Sequence, residues 1–211
     1  MRVLVIGANG RVGSLLVSKL AVKYQVLAGS RNPKPENNSN NVEHVNIDLL
    51  NNVNIIEKCM IGVDAIYFVS GSRGKDLLQI DLHGAIKTMQ AAEKAGVKRY
   101  IMLSSVFALQ PERWNESFLS DLTDYNIAKH YADLYLTTQA KLDYTVLQPG
   151  ALKEEAGTGR IEINIKNPGT NSIADVVDTL VAILDNDSTI GKIILMHDGD
   201  TAIADALNQI I

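Results

Sequence analysis

Residues 2–13 read RVLVIGANGRVG: an apolar run, Arg2–Ile6, followed at once by Gly7-Ala8-Asn9-Gly10-Arg11-Val12-Gly13. A strand that ends in a glycine turn and then opens a helix lets backbone approach an anionic ligand. The free amides and the dipole at the helix start stabilise its charge. Glycines spaced three and three depart from the G-x-G-x-x-G of dinucleotide-binding turns, and taken alone the pattern is weak because glycine is common in turns. Its place after the first strand, at the head of the first strand and helix unit, turns the reading towards the pyrophosphate of a dinucleotide.

Working outward, short apolar runs alternate with segments of helical period. Val3–Ile6, Gln25–Ala28, Val42–Ile47, Ala65–Val69, Tyr100–Leu103 and Tyr144–Leu147 read as strands, mostly apolar on both faces. Helices are expected at Gly13–Lys23, Val53–Ile61, Lys75–Ala95 and Asp124–Ala140. In the third of these, Leu78, Leu82, Ala85, Ile86, Met89 and Ala92 recur at intervals of three and four, and Gly96 is the stop. Parallel pairing follows, because consecutive parallel strands need crossovers of this length. The expected fold class is α/β, a doubly wound, mostly parallel Rossmann-like sheet. Beyond Gly150 a strand at Ile161–Ile165, a helix at Ser172–Leu184, a strand at Ile193–Met196 and a closing helix at Ile203–Ile211 complete the chain. Asn32–Asn41, crowded with Asn and Pro, reads as an irregular surface connection.

The 211 residues suit one domain, 1–211, with 151–211 forming a small substrate-side lobe. A net charge of −4 with 46% hydrophobic residues excludes disorder and argues against a nucleic-acid partner. No apolar run reaches the roughly 20 residues that span a bilayer, and the first strand begins too early for a signal peptide, so no membrane partner and a cytoplasmic location are expected. Cys59, the single cysteine, lies in an apolar stretch and reads as a buried, inert thiol. Asn-x-Ser matches at Asn37, Asn115 and Asn186 carry no weight without a secretory signal. His44, His83, His130 and His197 are scattered, so no metal site is expected.

The end of the second strand selects the cofactor. A carboxylate there would bond the ribose 2′-hydroxyl of NAD and repel a 2′-phosphate, but Ser30-Arg31 stands in its place with Lys34 nearby. A charge-assisted contact of roughly 1.5–3 kcal/mol favours NADP about ten- to hundredfold. Arg31 as an ordinary solvated loop residue is the competing reading, and Arg11 offers a second cation in the region.

Gly7–Gly13, Ser30-Arg31-Asn32-Pro33, Asp48-Leu49, Asp81-Leu82-His83-Gly84, Ala91–Ser105, Lys129, Leu142–Gly150, Gly157-Thr158-Gly159 and Ser172–Val177 together resemble the atypical short-chain dehydrogenase/reductases of the NAD(P)H-binding type, relatives of flavin and biliverdin-IXβ reductases. The likeness covers nearly the whole chain. It implies that Asp48 and Leu49 flank the adenine, although Asp48 could equally cap the end of its strand. It further implies that Ser70 and Gly71 pass beside the pyrophosphate and nicotinamide ribose, and that Pro149, Gly150 and Ala151 lie against the nicotinamide. The family usually has Arg where this chain has Gln148, so the ion pair of that arginine is absent.

Tyr125-Asn126-Ile127-Ala128-Lys129 places a tyrosine and a lysine on one helical face. In dehydrogenases that this chain resembles, the lysine bonds the nicotinamide ribose and lowers the tyrosine pKa, so that the phenol moves a proton as hydride is transferred. Ser104-Ser105 stands where a serine would hold the substrate carbonyl, with Val106 at the position some relatives give to serine. The resemblance therefore assigns catalysis to Tyr125, Lys129 and Ser105, with Ser104 and Lys129 also meeting the cofactor; Tyr125 as plain helix packing is the alternative. Phe107–Leu119, containing Trp114, Glu112, Arg113 and Phe118, reads either as a lid over a flat apolar substrate or as a loop tied down by aromatic packing. The expected function is NADPH-dependent reduction of a small carbonyl, quinone or flavin-like acceptor by a monomer or homodimer. The alternative is a non-catalytic NADP-binding redox sensor; a sugar-nucleotide epimerase has the short C-terminal lobe against it.

Overall fold

The computed structural model describes residues 1–210. Strands β1 (Arg2–Ile6), β2 (Gln25–Ser30), β3 (Val42–Asn46), β4 (Ala65–Phe68), β5 (Arg99–Leu103) and β6 (Asp143–Pro149) alternate with helices α1 (Arg11–Leu20), α2 (Val53–Lys58), α3 (His83–Ala95) and α4 (Thr123–Thr138). Beyond them come β7 (Ala151–Lys153), β8 (Arg160–Ile163), β9 (Thr170–Ser172), α5 (Ile173–Leu184), β10 (Lys192–Asp198), β11 (Thr201–Ala202) and α6 (Ile203–Asn208). The main sheet runs β11-β8-β10-β6-β5-β4-β1-β2-β3. From β10 to β3 every pairing is parallel, and β8 then runs antiparallel to β10. This is the Rossmann-like α/β sheet expected from the alternation.

Alternation of apolar side chains along each strand explains why helices cover both faces. In β1, Val3 and Val5 pack with Leu16, Leu20, Val176 and Leu180 of α1 and α5. Leu4 and Ile6 point the other way, into a core with Met89, Ala92 and Leu136 of α3 and α4. Each face removes its apolar surface from water at roughly 25 cal/mol per Å². The strand order reverses at β1, which pairs β2 on one side and β4 on the other. A crevice opens beyond the carboxyl ends of the strands at such a point.

Several boundaries differ from the sequence reading. The helix expected over Lys75–Ala95 begins as a π-helical turn, Leu77–Leu82, before α3. Leu78, assigned to the apolar face, is consequently 68% exposed. β3 is an outer strand whose residues are only partly buried, not apolar on both faces. Cys59 is half-buried, and its burial pushes the thiol pKa up, away from the reactive thiolate. The connection Asn32–Asn41 is irregular, as read, and holds only a short 3₁₀ turn, Pro35–Asn37. The expected closing helix stops at Asn208, and residue 211 lies outside the described residues. The short strands β7, β9 and β11 had no legible pattern. Among the described residues no helix is long and apolar enough to cross a membrane.

Candidate functional site

A cavity of about 880 Å³ follows the carboxyl ends of β1, β2, β4 and β5 and is closed on one side by Tyr125 and Lys129 of α4. Its floor is the glycine turn. The Gly7 and Ala8 amides both donate to the Gly29 carbonyl at 3.0 Å, and the Gly10 amide donates to the Gly7 carbonyl at 2.9 Å. Gly7 has φ +97°, and a Cβ there would lie 2.7 Å from Ser70 backbone. A Cβ on Gly13 would lie 2.1 Å from the Gly7 carbonyl oxygen, so Gly13 serves the close packing of helix on turn and does not itself line the cavity. No side chain caps α1 at Gly10. Its first amides, which have no intrahelical acceptor, are left for an anion.

At the end of β2, Asn9 Nδ2 donates to Ser30 Oγ at 3.0 Å and to the Asn32 carbonyl at 2.7 Å. Asn9 therefore clamps strand to turn, and its amide hydrogens are not free for phosphate. Arg31 stands exposed on the cavity wall with no side-chain hydrogen bond or ion pair among the described residues, while Arg11 pairs with Glu154 across the mouth at 3.1 Å. The second cation expected near Arg31 is thus engaged elsewhere, in an exposed pair worth little to stability. Asp48 accepts from the Leu50 amide at 2.9 Å through Oδ1 and also lines the cavity, as do Leu49, Ser70 and Gly71. Its carboxylate caps the turn with one oxygen and leaves the other for a ligand.

Lys129 is 3% exposed; its Nζ donates to the Leu103 carbonyl at 3.2 Å and lies 5.8 Å from the centre of the Tyr125 ring. Burial pushes the Tyr125 pKa up. Lys129 and Ser105 pull it down without prevailing, and Asp81 and Asp133 add to the rise. The expectation that Lys129 leaves a lowered tyrosine is therefore corrected: desolvation wins, and the phenol holds its proton. Ser104 lines the cavity but donates its hydroxyl to Asp133 Oδ2 at 2.7 Å, whereas Ser105 does not line it.

Sequence reasoning missed Asp133. It is fully buried; Oδ2 also accepts from Gln148 Nε2 at 2.8 Å, and Oδ1 has no partner among the described residues. Burial raises its carboxyl to about 6, against the pull of Ser104, Lys129, Gln148 and His130. Gln148, standing where the resemblance led to an arginine, offers a neutral amide in place of a counter-charge. A signal existed: Asp133 follows Lys129 by four residues and shares its helix face with buried Ala132 and Leu136.

Pro149, Gly150 and Ala151 also do not line the cavity. A Cβ on Gly150 would lie 2.3 Å from the Pro168 carbonyl oxygen, and its amide donates to the Met196 carbonyl at 3.1 Å and Asn171 Oδ1 at 2.8 Å. This segment is packed under the C-terminal strands, and Leu152 is the residue that reaches the cavity. Phe107–Leu119 is tied down as well: Trp114 Nε1 donates to the Phe107 carbonyl at 3.1 Å, its ring meets His130 edge-on at 5.6 Å, and Arg113 covers the Phe107 ring at 3.5 Å. None of its residues lines the cavity, which removes the lid reading. The Gly157-Thr158-Gly159 motif is structural, its Thr158 and Gly159 amides donating to buried Asp175 at 2.9 and 2.7 Å. Among the described residues no cluster of three or more His, Cys, Asp or Glu could hold a metal.

A doubly wound sheet with a glycine turn and an uncapped helix at its crevice defines a dinucleotide-binding protein. The chain belongs to the NAD(P)H-binding family, whose model matches residues 7–187. It is similar to the oxidoreductase ylbE of Lactococcus lactis, with 50% identity, a TM-score of 0.94, and 99% of this chain and 95% of that chain covered. It is 36% identical to the "Uncharacterized sugar epimerase YhfK" of Bacillus subtilis over 100% of both chains. Sanguinarine reductase of Eschscholzia californica is 24% identical over 88% of this chain and 84% of its own. The resemblance drawn from the motifs is borne out, and the chain is of NAD(P)H-binding, oxidoreductase-like type.

Proposed function

We propose that this protein is a reductase that prefers NADPH and passes hydride to a small carbonyl, quinone or flavin-like acceptor. The observation that carries this reading is the Tyr125 and Lys129 pair at the cavity wall, with the lysine ammonium buried against the Leu103 carbonyl. The residues fit the cofactor: the uncapped start of α1 suits a pyrophosphate, and Asp48 keeps one oxygen for an adenine amino group. The chemistry supplied by a bound reduced nicotinamide is hydride donation. Lys129 is suited to hold ribose hydroxyls, and Tyr125, which burial keeps protonated, carries the proton that a reduced acceptor needs. Gly7, Gly10, Val12, Ser70 and Gly71 would meet the phosphates and ribose through backbone, with Ser30 and Arg31 at the 2′-phosphate. In this reading residues 1–211 act as one unit, 151–211 supply the acceptor side through Leu152, and the protein is a monomer or homodimer.

Arg31→Ala is expected to lower NADPH affinity about ten- to hundredfold with little change for NADH, the loss of one charge-assisted contact. Calorimetric titration of both cofactors checks it, and equal wild-type affinities refute the preference.

A second reading, a redox sensor without turnover, draws on the serines. Ser104 gives its hydroxyl to Asp133 and Ser105 does not line the cavity, so the place of a carbonyl-holding serine is weakly filled. NADPH oxidation with quinones, flavins and aldehydes separates the two: turnover of at least one acceptor supports the reductase, and none across the panel supports the sensor. With an active acceptor, Tyr125→Phe is expected to slow reduction about 10²- to 10⁴-fold, the usual worth of a general acid. An unchanged rate would assign the proton to water. Sugar epimerisation, suggested by the name of the Bacillus subtilis relative, has against it the small extent of 151–211, much of which is spent extending the sheet.

A further inference from the structure

Of the cations that line the cavity, Arg11 pairs with Glu154, Lys129 donates to the Leu103 carbonyl, and Arg31 follows β2 on the adenosine side. The other two, Arg73 and Lys75, are exposed and make no side-chain hydrogen bond or ion pair among the described residues. They stand in the loop that joins β4 to the π-helical turn Leu77–Leu82. The Lys75 amide donates to the Ser72 carbonyl at 3.3 Å and closes a turn whose central residues, Arg73 and Gly74, are both left-handed, at φ +55° and +78°. Asn, Asp and Gly take that conformation readily, and arginine does not. Four non-glycine residues have positive φ among the described residues, and only Arg73 of them lines the cavity. Backbone strain of this kind clusters at ligand sites. The base of the turn is fixed, because the Ser72 amide donates to Oδ2 of fully buried Asp81 at 3.0 Å. A chain of net charge −4 thus presents two unpaired cations to its cavity from an anchored turn.

Position decides which anion they suit. In the sheet β4 lies beside β5, which leads to Ser104, and β1 separates it from β2, where Arg31 stands. A 2′-phosphate at Arg31 is therefore two strands away, and a pyrophosphate has the uncapped amides of α1. Asp81, which holds the turn, is felt by the Tyr125 phenol, so the turn belongs to the acceptor end. We propose that Arg73 and Lys75 select an acceptor that carries an anionic group, a carboxylate or a phosphate. The proposal rests on the reductase reading above and adds the charge class of its substrate. Arginine supplies paired N–H donors and lysine a point charge, which together suit a group with two or more anionic oxygens. Asp76, the carboxylate that ends the loop, forms no ion pair with either cation among the described residues.

The test follows reduction by the full chain, driven by whichever of NADPH or NADH it binds more tightly, of three matched pairs of acceptors. These are FMN with riboflavin, a naphthoquinone sulfonate with its parent naphthoquinone, and a carboxybenzaldehyde with benzaldehyde. In each active pair the anionic member is expected to have the lower KM. Arg73→Gly combined with Lys75→Gln is expected to raise that KM on the order of tenfold, as for a lost charge-assisted contact, with the KM of the neutral member and both kcat values little changed. Raising the salt from about 0.05 to about 0.3 M is expected to shrink the wild-type preference and to leave the double variant unaffected. Arg73→Gly alone is expected to give part of the loss while raising the melting temperature, since glycine takes the left-handed backbone without strain. An unchanged KM for the anionic member, or an equal rise for both members of a pair, overturns the proposal. A double variant that loses dinucleotide affinity in calorimetric titration and keeps its acceptor KM values assigns the cations to the cofactor, which also overturns it. A wild type that reduces none of these acceptors refutes the underlying reductase reading instead.

Discussion

Gly13→Ala is expected to abolish measurable dinucleotide binding while the chain still folds. The added Cβ would stand 2.1 Å from the Gly7 carbonyl oxygen and 3.0 Å from Ala8 Cα, both rigid backbone. Either α1 moves away from the turn or the turn opens, and in both cases the helix amides lose their aim. Overpacking of this kind costs roughly 1–3 kcal/mol, or about 2–12 °C of melting temperature for a chain of this size. Gly96→Ala provides the control. Gly96 ends α3 at φ +76°, and a Cβ there would meet no heavy atom of the described residues within 4 Å. Its left-handed backbone makes alanine unfavourable by a comparable 1–3 kcal/mol or so, far from the cavity. Fluorescence titration with NADPH, beside thermal melts, checks the pair. If Gly13→Ala binds as well as Gly96→Ala does, the glycine turn is not the phosphate cradle.

Asp133→Asn is expected to stabilise the protein above neutral pH and to bring no gain in acid. In the folded chain burial holds the carboxyl protonated up to about pH 6, against an ordinary 3.8. A raised carboxyl favours folding below its unfolded pKa, and that contribution is lost as pH rises through about 6. The difference of about two pKa units corresponds to roughly 3 kcal/mol. An asparagine carbonyl oxygen standing at Oδ2 can accept from both Ser104 and Gln148, as that oxygen does in the wild type. The variant therefore keeps the network without its unpaired charge. The difference in melting temperature between variant and wild type should be near zero at about pH 4 and grow to several degrees by about pH 8, at roughly 2–4 °C per kcal/mol. A difference independent of pH would show that Asp133 does not titrate in this range.

Much of this was legible in local sequence. Arg2–Gly13 carries its own conformation, because strand, glycine turn and helix start are set by residues within a dozen positions, and the turn appears as read. Lys129 and Tyr125 were legible for the same reason: a spacing of four on a helix fixes their common face. The π-helical turn before α3 was not, since the apolar period at Leu78 and Leu82 fits an ordinary helix and the bond the turn makes outside itself, from the Ser72 amide to Asp81, leaves no local pattern. Gly150 looked like a cofactor contact because it ends a strand next to the crevice. Pro168 and Asn171, distant in sequence, take up the space around it.

By itself the sequence determined the alternation of strands and helices, the glycine turn, the cation after β2 and the Tyr125 and Lys129 face, all of which depend on neighbours along the chain. Only the tertiary structure decided which of these groups are free to meet a ligand. Asn9, Arg11 and Ser104 are engaged by Ser30, Glu154 and Asp133. The physical reason is that hydrogen-bond satisfaction and burial are set by whatever the folded sheet brings alongside. β5, α4 and β6 deliver Ser104, Asp133 and Gln148 to one point from positions 104, 133 and 148, and no local pattern records that meeting.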